Sequence, residues 1–324
     1  MARKLSICIV FGIAVLGAVS ASAGEIKPAT TCDRACLYGF LDKYLDALVK
    51  RDVSELPLAE HARYSENSVE MAFGDGMWNT VSSRGDYDFR MADTKTGNVG
   101  WYGTVDENGK EAAVGLRLKV KEGLITEAET VLARQDGNGP FPNPQPQLLK
   151  TVPINNRIEP VDTRRPRERL ISIADGYFDT LQLNDGTIFT QFSPDCNRRE
   201  NGFQTTNNKN PGIPGAVLSL GCEAQFKTGN FRFDDRLRAR RFPLVDEERG
   251  LVMASGFIDH SGKLQKVKLT DGRVIESIFK TPHSYVLLET FKIVDGKIRQ
   301  VEAVFTDVPY RMPSPWFHPH GNHQ

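Results

Sequence analysis

Phe291-Lys292-Ile293-Val294-Asp295-Gly296-Lys297-Ile298 decides how this chain is read, because Asp-Gly stands between two runs that alternate apolar and polar residues. That arrangement is the strongest short-range sign of a β-hairpin, since both turn residues must tolerate a positive φ. It predicts strands from Tyr285 to Val294 and from Lys297 to Thr306. The same device stands earlier in Lys119-Val120-Lys121-Glu122-Gly123-Leu124-Ile125. Strands are predicted there from Ala112 to Lys121 and from Leu124 to Arg134. Glu129 and Glu302 then fall at equal distances past the two turn glycines.

Working outward, other landmarks recur in the same order. Asp42-Lys43-Tyr44-Leu45-Asp46-Ala47-Leu48 is echoed by Asp175-Gly176-Tyr177-Phe178-Asp179-Thr180-Leu181, each with apolar positions at helical spacing. Arg63-Tyr64-Ser65-Glu66-Asn67-Ser68 is echoed by Arg198-Arg199-Glu200-Asn201-Gly202, and Asp93-x3-Gly97 by Asp246-x3-Gly250. The later landmarks lie further apart because the second copy carries an extra segment near 207–221. Ordered recurrence with insertions confined to loops marks a duplication. Helices are predicted from Asp33 to Lys50 and from Glu168 to Leu183.

Between the copies, Pro140, Pro142, Pro144, Pro146, Pro153, Pro160 and Pro166 crowd the stretch 135–166. Proline lacks an amide hydrogen and disfavours helix interiors and central strands, so this stretch is expected to be a linker that joins neither. The expected organisation is a signal segment (1–23), a first module (24–134), the linker (135–166), a second module (167–311) and a solvated tail (312–324). A helix followed by a meander with one wet face must curl to bury its apolar side. The expected fold class is therefore α+β: two tandem cone-shaped modules, each an N-terminal helix packed on a strongly curved, mostly antiparallel sheet and enclosing a pocket.

Arg3 and Lys4 precede an apolar run from Leu5 to Val19 that ends in Ala21-Ser22-Ala23. This is the pattern of a secretory signal peptide cleaved after Ala23, and it predicts a secreted or periplasmic protein with no membrane span. Loss of Cys8 leaves four cysteines, which in an oxidising compartment read as disulfides. Proximity favours Cys32 with Cys36 and Cys196 with Cys222 among the three possible connectivities. The chain carries 41 basic and 41 acidic residues. Balanced charge gives no electrostatic footprint for nucleic acid and no block that would hold the chain on an anionic membrane, so a small or neutral partner is expected.

The Tyr44 and Tyr177 helices, the Glu-Asn turns and the terminal hairpins together resemble the nuclear-transport-factor-2-like (SnoaL-like) superfamily. The resemblance covers both halves and implies a helix across the mouth of a curved sheet. The order Cys196 to Gly202, Arg240-Arg241-Phe242 with Asp246, Pro309-Tyr310 and Ser314-Pro315-Trp316 more narrowly resembles an exported, uncharacterised bacterial and fungal domain group. The superfamily includes ketosteroid isomerase, scytalone dehydratase, limonene epoxide hydrolase and polyketide cyclases beside members that only bind, so the fold alone does not assign a function. Its enzymes place an Asp, Glu, His or Tyr in an apolar interior, where desolvation moves the pKa toward the working pH.

The candidate residues follow from that chemistry. Glu66-Asn67 and Glu200-Asn201 pair a carboxylate with a carboxamide, as base and oxyanion donor, or else Asn makes the turn and Glu braces it. His61 and Tyr64 are candidates for the first pocket, with Trp78, Trp101 and Tyr102 as its wall or as plain core. Tyr177 is the corresponding wall residue of the second. Arg238 and Arg240 share a strand face if the run from Phe231 to Val245 alternates regularly, with Arg241 on the other; they either clamp a carboxylate or pair with Asp234, Asp235 or Glu289 outside. His260, before Ser261-Gly262, is expected at a solvated turn. His283, Tyr285 and Glu289 share one face of a late strand and form the best acid–base cluster, unless that face is a solvent stripe in which Leu287 is an exposed member. The tail His318-x-His320-x2-His323 could take a divalent metal, but a mobile tail is expected and no metal site is assigned.

The leading expectation is an exported lyase, isomerase or dehydratase acting without a cofactor on a small apolar or aromatic molecule, with Glu200, Arg240, His283, Tyr285 and Glu289 as the preferred site. Two other classes stand beside it. One is a binder of a hydrophobic ligand; the other is a structural tandem whose halves imitate a homodimer, as a monomer or a dimer of such chains.

Overall fold

Residues 32–135, 144–211 and 216–317 are described by the computed structural model. The signal segment, part of the linker and His318, His320 and His323 lie outside the described residues. Asp33 caps the first helix by accepting from the Cys36 amide at 2.9 Å, and α1 (Arg34–Lys50) follows. Then come β1 (Leu58–Glu66), β2 (Val69–Met71), β3 (Val81–Asp93), β4 (Asn98–Glu107), β5 (Lys110–Lys121) and β6 (Leu124–Ala133). The short α2 (Pro153–Asn156) leads to α3 (Arg167–Leu183), β7 (Phe192–Glu200), β8 (Phe203–Gln204), α4 (Cys222–Lys227), β9 (Arg236–Asp246) and β10 (Leu251–His260). A small hairpin of β11 (Lys266–Lys268) and β12 (Val274–Glu276) precedes β13 (His283–Val294) and β14 (Lys297–Val308).

The two large sheets have six strands each, in the orders β2-β1-β6-β5-β4-β3 and β8-β7-β14-β13-β10-β9. In each, one pair is parallel (β1 with β6, β7 with β14) and the rest are antiparallel. The architecture is thus α+β with two separate mixed sheets of matching topology. Register confirms the repeat residue by residue: Trp101 pairs with Leu116 and Leu116 with Thr130, as Ala254 pairs with Glu289 and Glu289 with Ala303.

Local chemistry repeats as well. Gly97 and Gly250 hold φ of +71° and +59°, and an added Cβ would lie 2.3 Å from the Val120 carbonyl oxygen in one and 2.4 Å from that of Ile293 in the other. Only glycine fits either turn. Asn67 and Asn201 hold φ of 49° and 50°. Each carboxamide then bonds the strand alongside: Asn67 donates to the Leu132 carbonyl (3.2 Å) and accepts from its amide (2.8 Å), while Asn201 makes both bonds to Phe305 at 2.9 Å.

Three cores result. Leu37, Leu41, Tyr44, Leu45 and Leu48 of α1 pack with Val99, Trp101, Leu116 and Leu118 of the first sheet. Leu170, Ile173, Tyr177, Phe178 and Leu181 of α3 pack with Val252, Ala254, Leu287, Phe291 and Val301 of the second. The third lies between the sheets, where Phe89, Met91 and Tyr102 meet Leu244, Met253, Phe257 and Leu288. Trp101 and Tyr102 are therefore on opposite faces, and Tyr102 is not part of the first interior; its hydroxyl bonds Thr290 at 3.1 Å.

Ion pairs across this third core are reciprocal. Arg34 at the start of α1 pairs with Asp246 of the second repeat (2.5 Å), and Arg167 at the start of α3 pairs with Asp93 of the first (2.7 Å). A cleft of ≈ 460 Å³ opens beside them.

Two expectations need correction. The proline-rich stretch does join a helix: Pro153 opens α2, where the missing amide hydrogen is not needed. It is also tied down, since Asn155 donates to Glu302 (3.0 Å) and Glu159 pairs with the buried Lys292 (2.7 Å). Residues 312–317 are likewise not a free tail. Trp316 donates to the Ser65 hydroxyl (2.7 Å) and lies under the Arg63 and Arg117 guanidinium groups, 4.6 and 5.2 Å from its ring centre. Both disulfides, Cys32–Cys36 and Cys196–Cys222, are formed, consistent with an oxidising environment outside the cytoplasm. No described helix is long and apolar enough to cross a membrane.

Candidate active site

Alternation along β13 sends its odd-numbered residues toward α3. Tyr285, Leu287, Phe291 and Ile293 join the core under that helix, and Glu289, 4 % exposed, stands among them. Leu287 is buried at 2 %, so this face is not a solvent stripe. The apolar surroundings push the Glu289 carboxyl up to about 8. Burial is the main cause; Arg198 works against it and Glu200 adds to it.

Arg198 and Glu200 arrive on β7, two residues apart and on the same face, and form a buried ion pair. The Arg198 guanidinium lies 5.0, 5.2 and 5.6 Å from the ring centres of Phe226, Phe231 and Tyr177. Its Nη1 donates to Gln225 Oε1 at 2.6 Å. Burial opposes its charge, but Tyr177, Glu200 and Glu289 more than offset this, so its pKa is raised. Nε of Arg198 is buried without a hydrogen-bond partner among the described residues.

Further along the same interior, rings close around His260. It stacks on Phe279 (4.0 Å between ring centres) and lies 4.8 Å from His283 and 5.2 Å from Tyr285. Its Nδ1 faces the Phe233 carbonyl at 3.2 Å and Asp234 at 3.3 Å. A neutral ring therefore carries its hydrogen on Nδ1 and turns Nε2 inward as an acceptor. Burial lowers the His260 pKa to about 4 and raises that of Asp234 well above its ordinary value. At neutral pH His260 is therefore uncharged. Burial likewise raises the Tyr285 phenol, whose hydroxyl has no hydrogen-bond partner among the described residues.

The sequence-based candidates thus separate. Glu200, Tyr285, Glu289 and Tyr177 come together in this interior, with His283 half-buried at its edge, where Nδ1 faces the Thr281 carbonyl at 2.9 Å. Arg240 does not join them. A bulge at Ala239, with φ of 51°, breaks the alternation of β9. Arg240 turns instead to Asp175 and Asp179 on α3 at 3.0 and 2.7 Å, while Arg238 pairs with Asp259 and Arg241 with Glu129. Asn201, like Asn67, spends its carboxamide on the backbone and offers no oxyanion donor.

The first repeat is built differently. His61 is exposed and does not reach the interior. Glu66 is fully engaged, accepting from Tyr64 (3.0 Å), the Met77 amide (2.6 Å) and Arg134 (3.2 Å). Trp78 and Trp101 are buried in the core, Trp78 edge-on to Tyr44 at 5.1 Å and Trp101 donating to Asp88 at 3.0 Å. Where the second repeat has Arg198, Tyr285 and Glu289, the matching positions of the first hold Tyr64, Ala112 and Leu116.

Sequence reasoning missed Arg198, Gln225, Asp234 and His260. His260 reads as a turn because Ser261-Gly262 follows, yet it is the last residue of β10 and is covered by Phe279 from a later loop. The one available signal was the Arg198-x-Glu200 spacing, which puts both side chains on one strand face. Among the described residues no three His, Cys, Asp or Glu side chains are grouped to hold a metal ion. The cleft between the repeats is lined by satisfied ion pairs, including Lys95 with Glu247 at 2.5 Å, and is structural in character.

A family model described as a domain of unknown function (DUF8021) matches residues 163–305, which is less than half of the chain and runs from just before α3 into β14. No curated protein matches the chain. Among solved structures, a candidate ketosteroid isomerase from Kribbella flavida is 19 % identical over 36 % of this chain and 90 % of its own, with a TM-score of 0.26. AclR, a candidate hydroxylase from Streptomyces galilaeus, is 17 % identical over 44 % of this chain and 83 % of its own, also at 0.26. TM-scores of this size do not establish a shared fold.

Proposed function

We propose that the second repeat is an acid–base site that moves a proton on a small apolar or aromatic molecule without a cofactor, in a lyase, isomerase or dehydratase reaction. The observation that carries this reading is Glu289: a carboxyl held at about 8 inside an aromatic interior, beside the Arg198–Glu200 pair. Glu289 is largely protonated at pH 7 and serves as general acid, or as base once it has given up its proton. Arg198 supplies positive charge where an oxyanion develops, in surroundings dry enough for that charge to count. Tyr285 Oη and His260 Nε2 are a donor and an acceptor without a partner among the described residues, and they orient a polar substituent of the substrate.

The test is a screen of the mature protein against small aromatic, terpenoid and keto compounds, scoring binding and turnover separately. For a substrate so found, Glu289→Gln is expected to lower kcat by about 10²–10⁴-fold, the usual size of a general acid–base contribution. Unchanged turnover would remove Glu289 from the chemistry. Saturable binding without turnover would favour a second reading, a binder of hydrophobic ligands, which the same open polar atoms also support. Export belongs to the proposal: sequencing the mature N-terminus should find Gly24 first.

A further inference from the structure

We infer that α4, fastened to β7 by the Cys196–Cys222 disulfide, exists to hold Arg198 in place, and that Gln225 is the positioning residue through which it does so. The inference rests on the acid–base reading of the site and adds the device that arms it. Residues 205–235 separate β8 from β9, whereas only 72–80 separate β2 from β3 in the first repeat. The extra length of the second repeat supplies α4.

A six-residue helix has no stability of its own, so its position must come from what fastens it. Cys222 at its first residue is bonded to Cys196, two residues before Arg198 on β7. Gln225, 0 % exposed, follows three residues later. Its carboxamide is fully used: Oε1 accepts from Arg198 at 2.6 Å, and Nε2 donates to the Thr205 and Val217 carbonyls at 2.7 and 3.1 Å. The amide is thereby fixed in orientation and cannot turn its nitrogen toward the guanidinium. Phe226, next along, stacks on Phe192 at 5.6 Å and places its face 5.0 Å from the guanidinium carbon. One crosslink thus anchors both groups that α4 sets against Arg198. The first repeat lacks the cation, and its short connection holds only a 3-10 turn, Gly76–Asn79, with no crosslink to β1; there, the Met77 amide serves Glu66 instead.

The direct readout is the guanidinium itself. In the full chain, a pinned guanidinium rotates slowly about its Cζ–N bonds, so Arg198 should show separate Nη resonances by ¹⁵N NMR, assigned by their loss in Arg198→Lys. Gln225→Leu and the paired Cys196→Ala/Cys222→Ala are each expected to merge these resonances and to move the Glu289 midpoint, followed by ¹³C NMR, by at least one pH unit. Gln225→Glu keeps an acceptor for Nη1 and should preserve separate resonances. Cys32→Ala/Cys36→Ala, which removes the other disulfide, should leave Arg198 unchanged. Separate Arg198 resonances surviving in Gln225→Leu would overturn the inference, as would an equal response to loss of the Cys32–Cys36 bond. If the cysteine variant fails to fold, the Gln225 pair decides alone. Should Arg198 respond as stated while Glu289→Gln leaves turnover intact, the positioning role stands and only the acid–base reading falls.

Discussion

Glu289 and His260 are held uncharged by the same cause, burial, yet they tilt stability against pH in opposite directions. A carboxyl at about 8 when folded and near 4.5 when unfolded keeps its proton in the native state where the unfolded chain has lost it. Stability therefore falls as pH rises through that window, by roughly 1.4 kcal/mol per unit at most, and levels off above about 8. His260, at about 4 folded against 6.5 unfolded, stays neutral where the unfolded chain takes up a proton, so its contribution is lost as pH falls from 6.5 toward 4. Thermal melts from pH 4 to 9 should show Glu289→Gln losing less stability than the native chain between pH 5 and 8. His260→Phe, which can keep the stack on Phe279, should flatten the acid limb. A fall of equal steepness in Glu289→Gln would mean that this carboxyl titrates normally.

At the level of elements, the repeated Asn turns carry weight beyond their size. Each carboxamide replaces two ladder bonds at the end of a parallel pair, and each backbone sits at a positive φ. Asn201→Ala should cost about 2–3 kcal/mol, because it removes both buried bonds to the Phe305 backbone and strains the turn. Asn67→Ala, in a more exposed place, should cost less; urea unfolding measures both. Elements like these were legible in the sequence because hairpin and turn chemistry is local: Asp295-Gly296, Glu122-Gly123 and the paired Glu-Asn steps each announce themselves within a few residues. Arg240 was misread because one residue at positive φ, Ala239, takes Arg240 off the face that Arg238 occupies, and nothing in Arg238-Ala239-Arg240 signals it. Gln225 was invisible for another reason. Its partner lies 27 residues away across a segment with no counterpart in the first repeat, so the duplication that explained the rest offered no guide.

Across the whole molecule, the sheets share a core and exchange ion pairs, so neither repeat is complete without the other. The chain should unfold in a single calorimetric transition, with Phe89, Met91, Met253 and Leu288 losing their packing together. Two resolved transitions would show the repeats to be independent. Arg167→Met should lower stability by about 2–3 kcal/mol, less than for a fully enclosed pair because Arg167 is 20 % exposed, and should leave Asp93 short of a counter-charge. The duplication was plain from the sequence, while the back-to-back packing was not, since a sheet that buries both faces leaves little alternation to say which face meets its twin.

The asymmetry between the two interiors bears on how such a molecule saturates. Two identical subunits would offer twin sites that every substitution alters at once, and that can influence each other's occupancy. Here Leu116 and Ala112 stand where Glu289 and Tyr285 stand in the other half, so titration with a ligand should end at one equivalent per chain and follow a simple hyperbola.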